Sequence, residues 1–335
     1  MSRIAVMGSG AWGTAIALSL ERRGGHAVIL WAHSPEVAAE IRASGENKQF
    51  LPGFPLPRQI MVTSNADEAL HDTDMIVSVM PSHHVRASYE LFAPYLTSDQ
   101  LLVSATKGIE DGTYLRMSEV IADVLRRHRF DLRCGVLSGP SFAQEVAAGS
   151  PTAVTIASNK AMLATRVQRE FSSSTLRLYT NDDVIGVELG GALKNVIAIA
   201  SGIVAGLGLG YNSTAALITR GVAEVTRLAV ACGGGRETLA GLSGIGDLVL
   251  TCTGALSRNR WVGIELGKCR PLEEILAALH GKVAEGVRTT SAALGLARQH
   301  GVEMPIAEQV QSILEGKKHP RQAMRELMSR PGRDE

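Results

Sequence analysis

Residues 4–13 read IAVMGSGAWG. A short apolar run with strand character feeds Gly8-x-Gly10-x-x-Gly13, and an Ala/Leu-rich helical pattern from Thr14 to Leu20 follows at once. A strand, a glycine turn and a helix in that order constrain the fold more than anything else in the chain. Gly8 permits the tight turn, Gly10 lets a pyrophosphate approach the main chain, and Gly13 lets the helix pack close to the strand. The free N–H groups and the dipole at the helix start then attract negative phosphates. A glycine-rich turn without a ligand is the bland alternative, and the strand–turn–helix context weighs against it.

Beyond this motif the first half of the chain alternates between two periodicities. Strand-like runs fall at 4–7, 27–31, 61–62, 75–79, 101–104 and 135–138, with two more at 153–157 and 175–179. Helical patterns separate them at 11–22, 35–43, 83–91 and 115–126. Such alternation predicts a doubly wound, mostly parallel sheet of the Rossmann type, with helices on both faces and a ligand crevice at the C-terminal strand ends. After Asn181 strand-like runs vanish, and long apolar segments at helical spacing take over at 184–205, 215–232, 272–280, 291–300 and 306–315. These predict an all-helical C-terminal domain. We therefore expect an α/β dinucleotide-binding domain over residues 1–181 and a helical substrate and catalytic domain over 182–330. The polar tail 329–335 is expected to fray.

The 335 residues suffice for two buried cores. Lys+Arg 34 against Asp+Glu 33 leaves a net charge of +1, so no global field favours nucleic acid or an anionic membrane. An anionic substrate must be held by a local cluster. The four cysteines, Cys134, Cys232, Cys252 and Cys269, form no CxxC pair, and a chain of this length needs no disulfide staples. No metal site is expected. No signal peptide precedes the first strand, which points to the cytoplasm. The longest apolar stretch, 196–211, is too short to span a bilayer and abuts Lys194 and Asn195; it reads as a buried core helix rather than an integral membrane segment. Its glycine-rich part, 202–210, suits packing within the chain or across a homodimer equally well.

The second strand ends at Trp31-Ala32-His33-Ser34, without the acidic residue that usually holds the ribose hydroxyls of NAD. His33 and Ser34 have the groups to hydrogen-bond a 2′-phosphate, which favours NADP(H) and leaves NAD(H) open; a loop His and Ser without any ligand role is an equal alternative. Five further segments place polar residues against apolar surroundings. Lys107 follows a strand in SATKG (104–108), and Gly139 and Ser141 follow another in SGPSFA (138–143). Lys194 and Asn195 lie in GGALKNVIAI (190–199), where small neighbours argue against a merely solvated lysine. Asp247 follows three glycines in GLSGIGDLVLT (241–251), placed to cap a helix and to share its face with Thr251. Ser257, Arg258 and Asn259 in LSRNR (256–260) offer hydroxyl, guanidinium and amide donors to a phosphate, or else form a solvated loop.

Taken together, GSGAWGTAIA, ATKGIE, GPSFAQEVAAGSPT, VELGGALKNVIAIASGI, GLSGIGDLVLTC, SRN and VAEGV occur in an order that resembles the bacterial NAD(P)-dependent glycerol-3-phosphate dehydrogenases, from about residue 4 to residue 310. The resemblance implies reversible reduction of dihydroxyacetone phosphate to sn-glycerol 3-phosphate, feeding glycerophospholipid synthesis. It implies NADP(H) and/or NAD(H) as coenzyme and a small phosphorylated substrate as partner. Carried over residue by residue, it makes Lys194 the general acid/base. Substrate contacts fall on Lys107, Gly139, Ser141, Lys194, Asn195, Asp247, Thr251, Ser257, Arg258 and Asn259. Coenzyme contacts fall on Gly8, Gly10, Ala11, Trp12, Gly13, His33, Lys107, Ala143, Arg258, Val283 and Glu285. Where the family often carries Arg or Lys beside the 2′-phosphate, this chain has His33, and histidine as a residue type lacks the permanent charge of Arg or Lys. The competing readings are a β-hydroxy-acid or ketopantoate-type dehydrogenase, which grips a carboxylate, and a non-catalytic NADP(H)-binding protein, which has no use for Lys194, Asp247 and Arg258 together.

Overall fold

The computed structural model describes residues 1–129, 133–279 and 281–331. They form two units, Met1–Lys107 with Leu115–Glu188, and Gly108–Tyr114 with Leu189–Glu335.

The first unit is built on eight strands: β1 (Ser2–Met7), β2 (His26–Trp31), β3 (Met61–Thr63), β4 (Met75–Ser78), β5 (Leu101–Ser104), β6 (Arg133–Ser138), β7 (Thr152–Ala157) and β8 (Leu176–Asn181). Their order is β3-β2-β1-β4-β5-β6-β7-β8. Every pairing is parallel except β6 with β7. The central strands are apolar without interruption because both faces are covered. In β1, Ile4 and Val6 belong to one core and Ala5 and Met7 to the other, as a two-residue period requires. The edge strand β8 instead alternates buried and exposed positions.

The helices of this unit are α1 (Ala11–Arg23), α2 (Pro35–Ser44), α3 (Ala66–Leu70), α4 (Val85–Phe92), α5 (Met117–Arg127), α6 (Ala143–Ala148) and α7 (Ala161–Phe171). Side chains of α1, α2, α6 and α7 enter the first core, and those of α3, α4 and α5 the second. All eight expected strands form. Strands β2 and β3 are added on one side of β1 and the strands from β4 onward on its other side, and such a switch point opens a crevice at the strand ends.

Helix α8 (Val184–Gly206) starts in the first unit and continues into the second. The second unit continues with α9 (Tyr211–Ala231), α10 (Arg236–Leu239), a wide helical turn (Leu242–Gly246), α11 (Asp247–Thr253), α12 (Arg258–Gly267), α13 (Leu272–Ala277), α14 (Glu285–Gln299), α15 (Pro305–Leu314) and α16 (Pro320–Met328). The helix expected over 272–280 thus runs to Ala277, with His280 outside the described residues, as is the 332–335 part of the tail.

Helix α8 has 23 residues, so it exceeds the apolar stretch seen in the sequence and is long enough to cross a membrane. Its most apolar window is 89% buried, however, which makes it a core helix. Gly202 and Gly206 pack within the chain: a Cβ on Gly202 would lie 2.0 Å from the Arg260 carbonyl oxygen, and one on Gly206 2.2 Å from that of Ile264. On α12, a Cβ on Gly263 would lie 2.0 Å from the Ile199 carbonyl oxygen and one on Gly267 2.6 Å from that of Ile203. Two stripes of glycine thus bring the backbones of α8 and α12 together.

Candidate active site

In the first unit the candidate site is made mainly of main chain. Gly8 leaves β1 at φ +135°, and a Cβ there would sit 2.4 Å from the Val79 carbonyl oxygen at the end of β4. A Cβ on Gly13 would sit 1.8 Å from the Gly8 carbonyl oxygen, so α1 can begin this close to the strand only with glycine. Gly10 stands at the N-cap of α1 and faces open space, with nothing within 4 Å of a Cβ built on it. No side chain caps this helix and no acidic residue lies in its first turn. The N–H groups that start a helix have no partners within it. Beside them the Trp12 indole nitrogen is buried with no acceptor. A diphosphate with acceptor oxygens fits these donors, and the open approach at Gly10 fits its bulk.

At the tip of β2, His33 is exposed with its ring edge-on to Trp31. Ser34 differs from the expectation of a ligand hydroxyl. Its Oγ caps α2 by accepting from the Val37 N–H at 3.2 Å and donates to a Glu36 carboxylate oxygen at 2.6 Å. A carboxylate therefore stands at this strand tip after all, reached through the cap rather than through the strand itself, and that hydrogen bond holds it below the usual carboxylate range.

Lys107, Gly139 and Ser141 come together on one carbonyl. The Gly139 oxygen accepts from Lys107 Nζ at 3.3 Å and from Ser141 Oγ at 2.9 Å. Gly139 adopts φ +138°, with Val154 packed where its side chain would be. Ala143 opens α6 and packs against the sheet core.

In the second unit the site is made of side chains. Lys194 lies in mid-α8, buried, and its ammonium pairs with the Asp247 carboxylate, itself fully buried. Asp247 does not cap α11: the wide turn Leu242–Gly246 leads into the helix without a side-chain cap, which frees the carboxylate for Lys194. The Thr251 hydroxyl donates to the Asp247 carbonyl at 2.6 Å, with Asp247 Oδ1 at 3.4 Å, as expected for residues one turn apart. The glycines before Asp247 serve close packing: a Cβ on Gly244 would meet the Leu239 carbonyl oxygen at 2.0 Å, and one on Gly190 of α8 the Ser243 carbonyl oxygen at 2.6 Å. Cys252 is buried beside this pair, and burial pushes its thiol up to about 12 against the pull of Lys194. A nucleophilic role does not suit it.

Asn195 and Asn259 extend the cluster. Asn259 Nδ2 donates to Asn195 Oδ1 at 2.9 Å, and Asn259 Oδ1 accepts from the Gly286 N–H at 2.9 Å. This chain ties α8 and α12 to the first turn of α14, which carries Glu285 and follows Val283. Ser257, Arg258 and Asn259 form no solvated loop. Ser257 is the buried N-cap of α12, accepting from the Arg260 N–H at 3.2 Å, and Asn259 is buried, while Arg258 is exposed. Surrounding protein atoms lower the Arg258 pKa and Glu285 opposes them; a guanidinium is not deprotonated in proteins. A helix N-terminus and a charged guanidinium are thus combined at one place.

Asn47 went unread in the sequence. Its buried amide donates to the Ser9 carbonyl in the glycine loop, and a single Asn in a turn-rich stretch gives no signal of that. Among the described residues no group of His, Cys, Asp or Glu is placed to hold a metal ion.

The chain matches the family description NAD-dependent glycerol-3-phosphate dehydrogenase N-terminus over residues 3–164 and the C-terminus of the same family over 183–325. It is 70% identical to the glycerol-3-phosphate dehydrogenase [NAD(P)+] of Acidobacterium capsulatum, covering 100% of both chains. With that of Koribacter versatilis it shares 60% identity, covering 100% of this chain and 99% of the relative. The crystal structure of a glycerol-3-phosphate dehydrogenase from Coxiella burnetii superposes with a TM-score of 0.93 at 41% identity, covering 98% of this chain and 99% of that one. These matches select the phosphate-gripping reading over the carboxylate-gripping and non-catalytic ones. The chain belongs to the NAD-dependent glycerol-3-phosphate dehydrogenase family, whose members are NAD(P)(H)-dependent oxidoreductases acting on a CH–OH group.

Proposed function

We propose that Lys194 is the general acid and base for the reversible reduction of dihydroxyacetone phosphate to sn-glycerol 3-phosphate. The observation that carries this reading is an ammonium buried in mid-helix and paired with a fully buried carboxylate. Burying such a pair costs desolvation and contributes little to stability, so its presence beside Asn195 and Thr251 favours a chemical role. When bound, the reduced coenzyme supplies a hydride to the ketone carbon. Negative charge then grows on the carbonyl oxygen, where the Lys194 ammonium stabilises it and donates the proton that completes the alcohol. In the reverse direction the amine takes that proton back. Asp247 holds the amine in place, and Thr251 holds Asp247.

Arg258 and the N-terminus of α12 grip the substrate phosphate, with Asn195 and Asn259 beside them. Binding energy from that remote group orients the ketone. Lys107, Gly139 and Ser141 add substrate contacts, as the family resemblance implies. The loop 8–13 holds the coenzyme pyrophosphate, and Trp12, His33, Ala143, Val283 and Glu285 contact the rest of the coenzyme. The product feeds glycerophospholipid synthesis in the cytoplasm.

The test is coenzyme oxidation, followed by absorbance, with dihydroxyacetone phosphate, ketopantoate and 2-keto acids as substrates. Turnover with dihydroxyacetone phosphate alone is expected. Turnover confined to the carboxylates would overturn the reading.

A further inference from the structure

Asn47 is 1% exposed and lies in the turn that follows α2. Its Nδ2 donates to the Ser9 carbonyl oxygen at 2.7 Å and to Thr14 Oγ1 at 2.8 Å, while its Oδ1 accepts from the Phe50 N–H at 3.3 Å. Thr14 Oγ1 lies 3.4 Å from the same Ser9 oxygen. The turn that carries Asn47 is itself fixed. Glu46 bridges to Pro55, the Gly53 N–H donates to Glu46 Oε1 at 2.6 Å, and Leu51 and Leu56 are buried in the sheet core.

A trans peptide is planar, with its C=O and N–H pointing in opposite directions. Holding the Ser9 oxygen on Asn47 therefore turns the Gly10 N–H away from Asn47, and Gly10 itself has open space where a Cβ would stand. We propose that Asn47 is the positioning residue of the coenzyme loop, setting the peptide between Ser9 and Gly10 so that its N–H is presented to the pyrophosphate of NADP(H) or NAD(H). This rests on the reading of loop 8–13 as the pyrophosphate site. A glycine loop is free to turn this peptide over, because glycine tolerates both signs of φ; Asn47 supplies the side chain that selects one orientation before the coenzyme arrives.

Asn47→Asp isolates the effect. It keeps the acceptor for the Phe50 N–H, removes both donations, and sets a carboxylate oxygen against the Ser9 oxygen. Fluorescence titration is expected to show NADPH and NADH binding weakened alike, roughly ten-fold, or about 1.4 kcal/mol. The KM for coenzyme is expected to rise more than kcat falls. Inhibition by adenosine 2′-monophosphate, which lacks the pyrophosphate, is expected to stay within about two-fold, a change near the size of ordinary surface effects. Asn47→Ala gives the same readout should the Asp variant fail to fold, as judged by circular dichroism.

Unchanged NADPH affinity in a folded Asn47 variant overturns the proposal. So does an equal loss for adenosine 2′-monophosphate, which would mark a general structural defect. Gly10→Val, which fills the open space, separates this failure from that of the underlying reading. Loss of NADPH binding there with retention in Asn47→Asp overturns the proposal alone. Retention in Gly10→Val overturns the loop assignment and the proposal with it.

Discussion

In the sheet-containing unit the candidate site consists of main-chain groups: Gly8 at positive φ, the open approach at Gly10, the contact of Gly13 with the preceding turn, and an uncapped helix start. In the helical unit it consists of side chains: Lys194 on Asp247, Asn195 on Asn259, and Arg258 at the head of α12. A main-chain site is specified over a few consecutive residues and is sensitive to added atoms. A side-chain site is assembled from distant segments and is sensitive to removed ones. Lys194 and Asp247 are 53 residues apart in sequence, whereas Gly8 and Gly13 are five apart. The two halves should therefore fail in different ways.

The largest effect is expected at Lys194. Lys194→Ala removes the proposed proton donor, and kcat should fall by about 10²–10⁴, the usual contribution of a positioned acid or base. NADPH binding, measured by fluorescence titration, should persist. Arg258→Ala comes next. Losing a charge-assisted grip should raise the KM for dihydroxyacetone phosphate by roughly 10–100-fold, with a smaller change in kcat at saturation. Steady-state kinetics that show the opposite split would place the phosphate elsewhere.

Gly13→Ala attacks the main-chain half. The added methyl meets the Gly8 carbonyl, so α1 must shift, with a stability loss of about 1–3 kcal/mol and weaker coenzyme binding, read by thermal denaturation with and without NADPH. A variant that keeps its coenzyme-induced rise in Tm would contradict the close-packed description of this loop.

The smallest effect concerns Glu224 on α9, outside both halves of the site. Its buried carboxylate accepts from the N–H groups of Ile306 and Ala307 at the start of α15, and burial pushes its pKa up to about 7 against those hydrogen bonds. The folded protein thus holds a proton between the ordinary carboxylate value and about 7 that the unfolded chain has released. Stability should fall as pH rises through that window, by about 1–3 kcal/mol, and stay reduced above it. Glu224→Gln cannot titrate and should flatten this slope, while its kinetics with dihydroxyacetone phosphate stay those of the parent. An unchanged slope in denaturant titrations at several pH values would exclude Glu224 as its source.

Legibility in the sequence followed the same division. The strands showed as apolar runs because a sheet covered on both faces leaves them no polar positions. The long helices α8, α9 and α14 showed through their length. Helix α12 did not, because it packs on α8 through Gly263 and Gly267 rather than through an apolar stripe. The short helices α3 and α6 span too few residues to display a period. The reversal of β7 against β6 has no composition of its own, since parallel and antiparallel strands use the same residue types.

Within the candidate site, the glycine loop was readable from spacing. The polar residues of the helical unit were readable as misfits against apolar surroundings, but their partners were not. That Asp247 binds Lys194 instead of capping α11, and that Ser34 joins Glu36 instead of standing free, depend on how turns fold back. Neither fact has a local signature.

In the proposed reaction the Lys194 amine moves the proton while the coenzyme moves the hydride. Single-turnover oxidation of bound NADPH by dihydroxyacetone phosphate in Lys194→Ala, with and without added methylamine, tests it most directly. Slow hydride transfer that methylamine restores in proportion to its protonated fraction is expected. Hydride transfer at the parent rate without amine would contradict it.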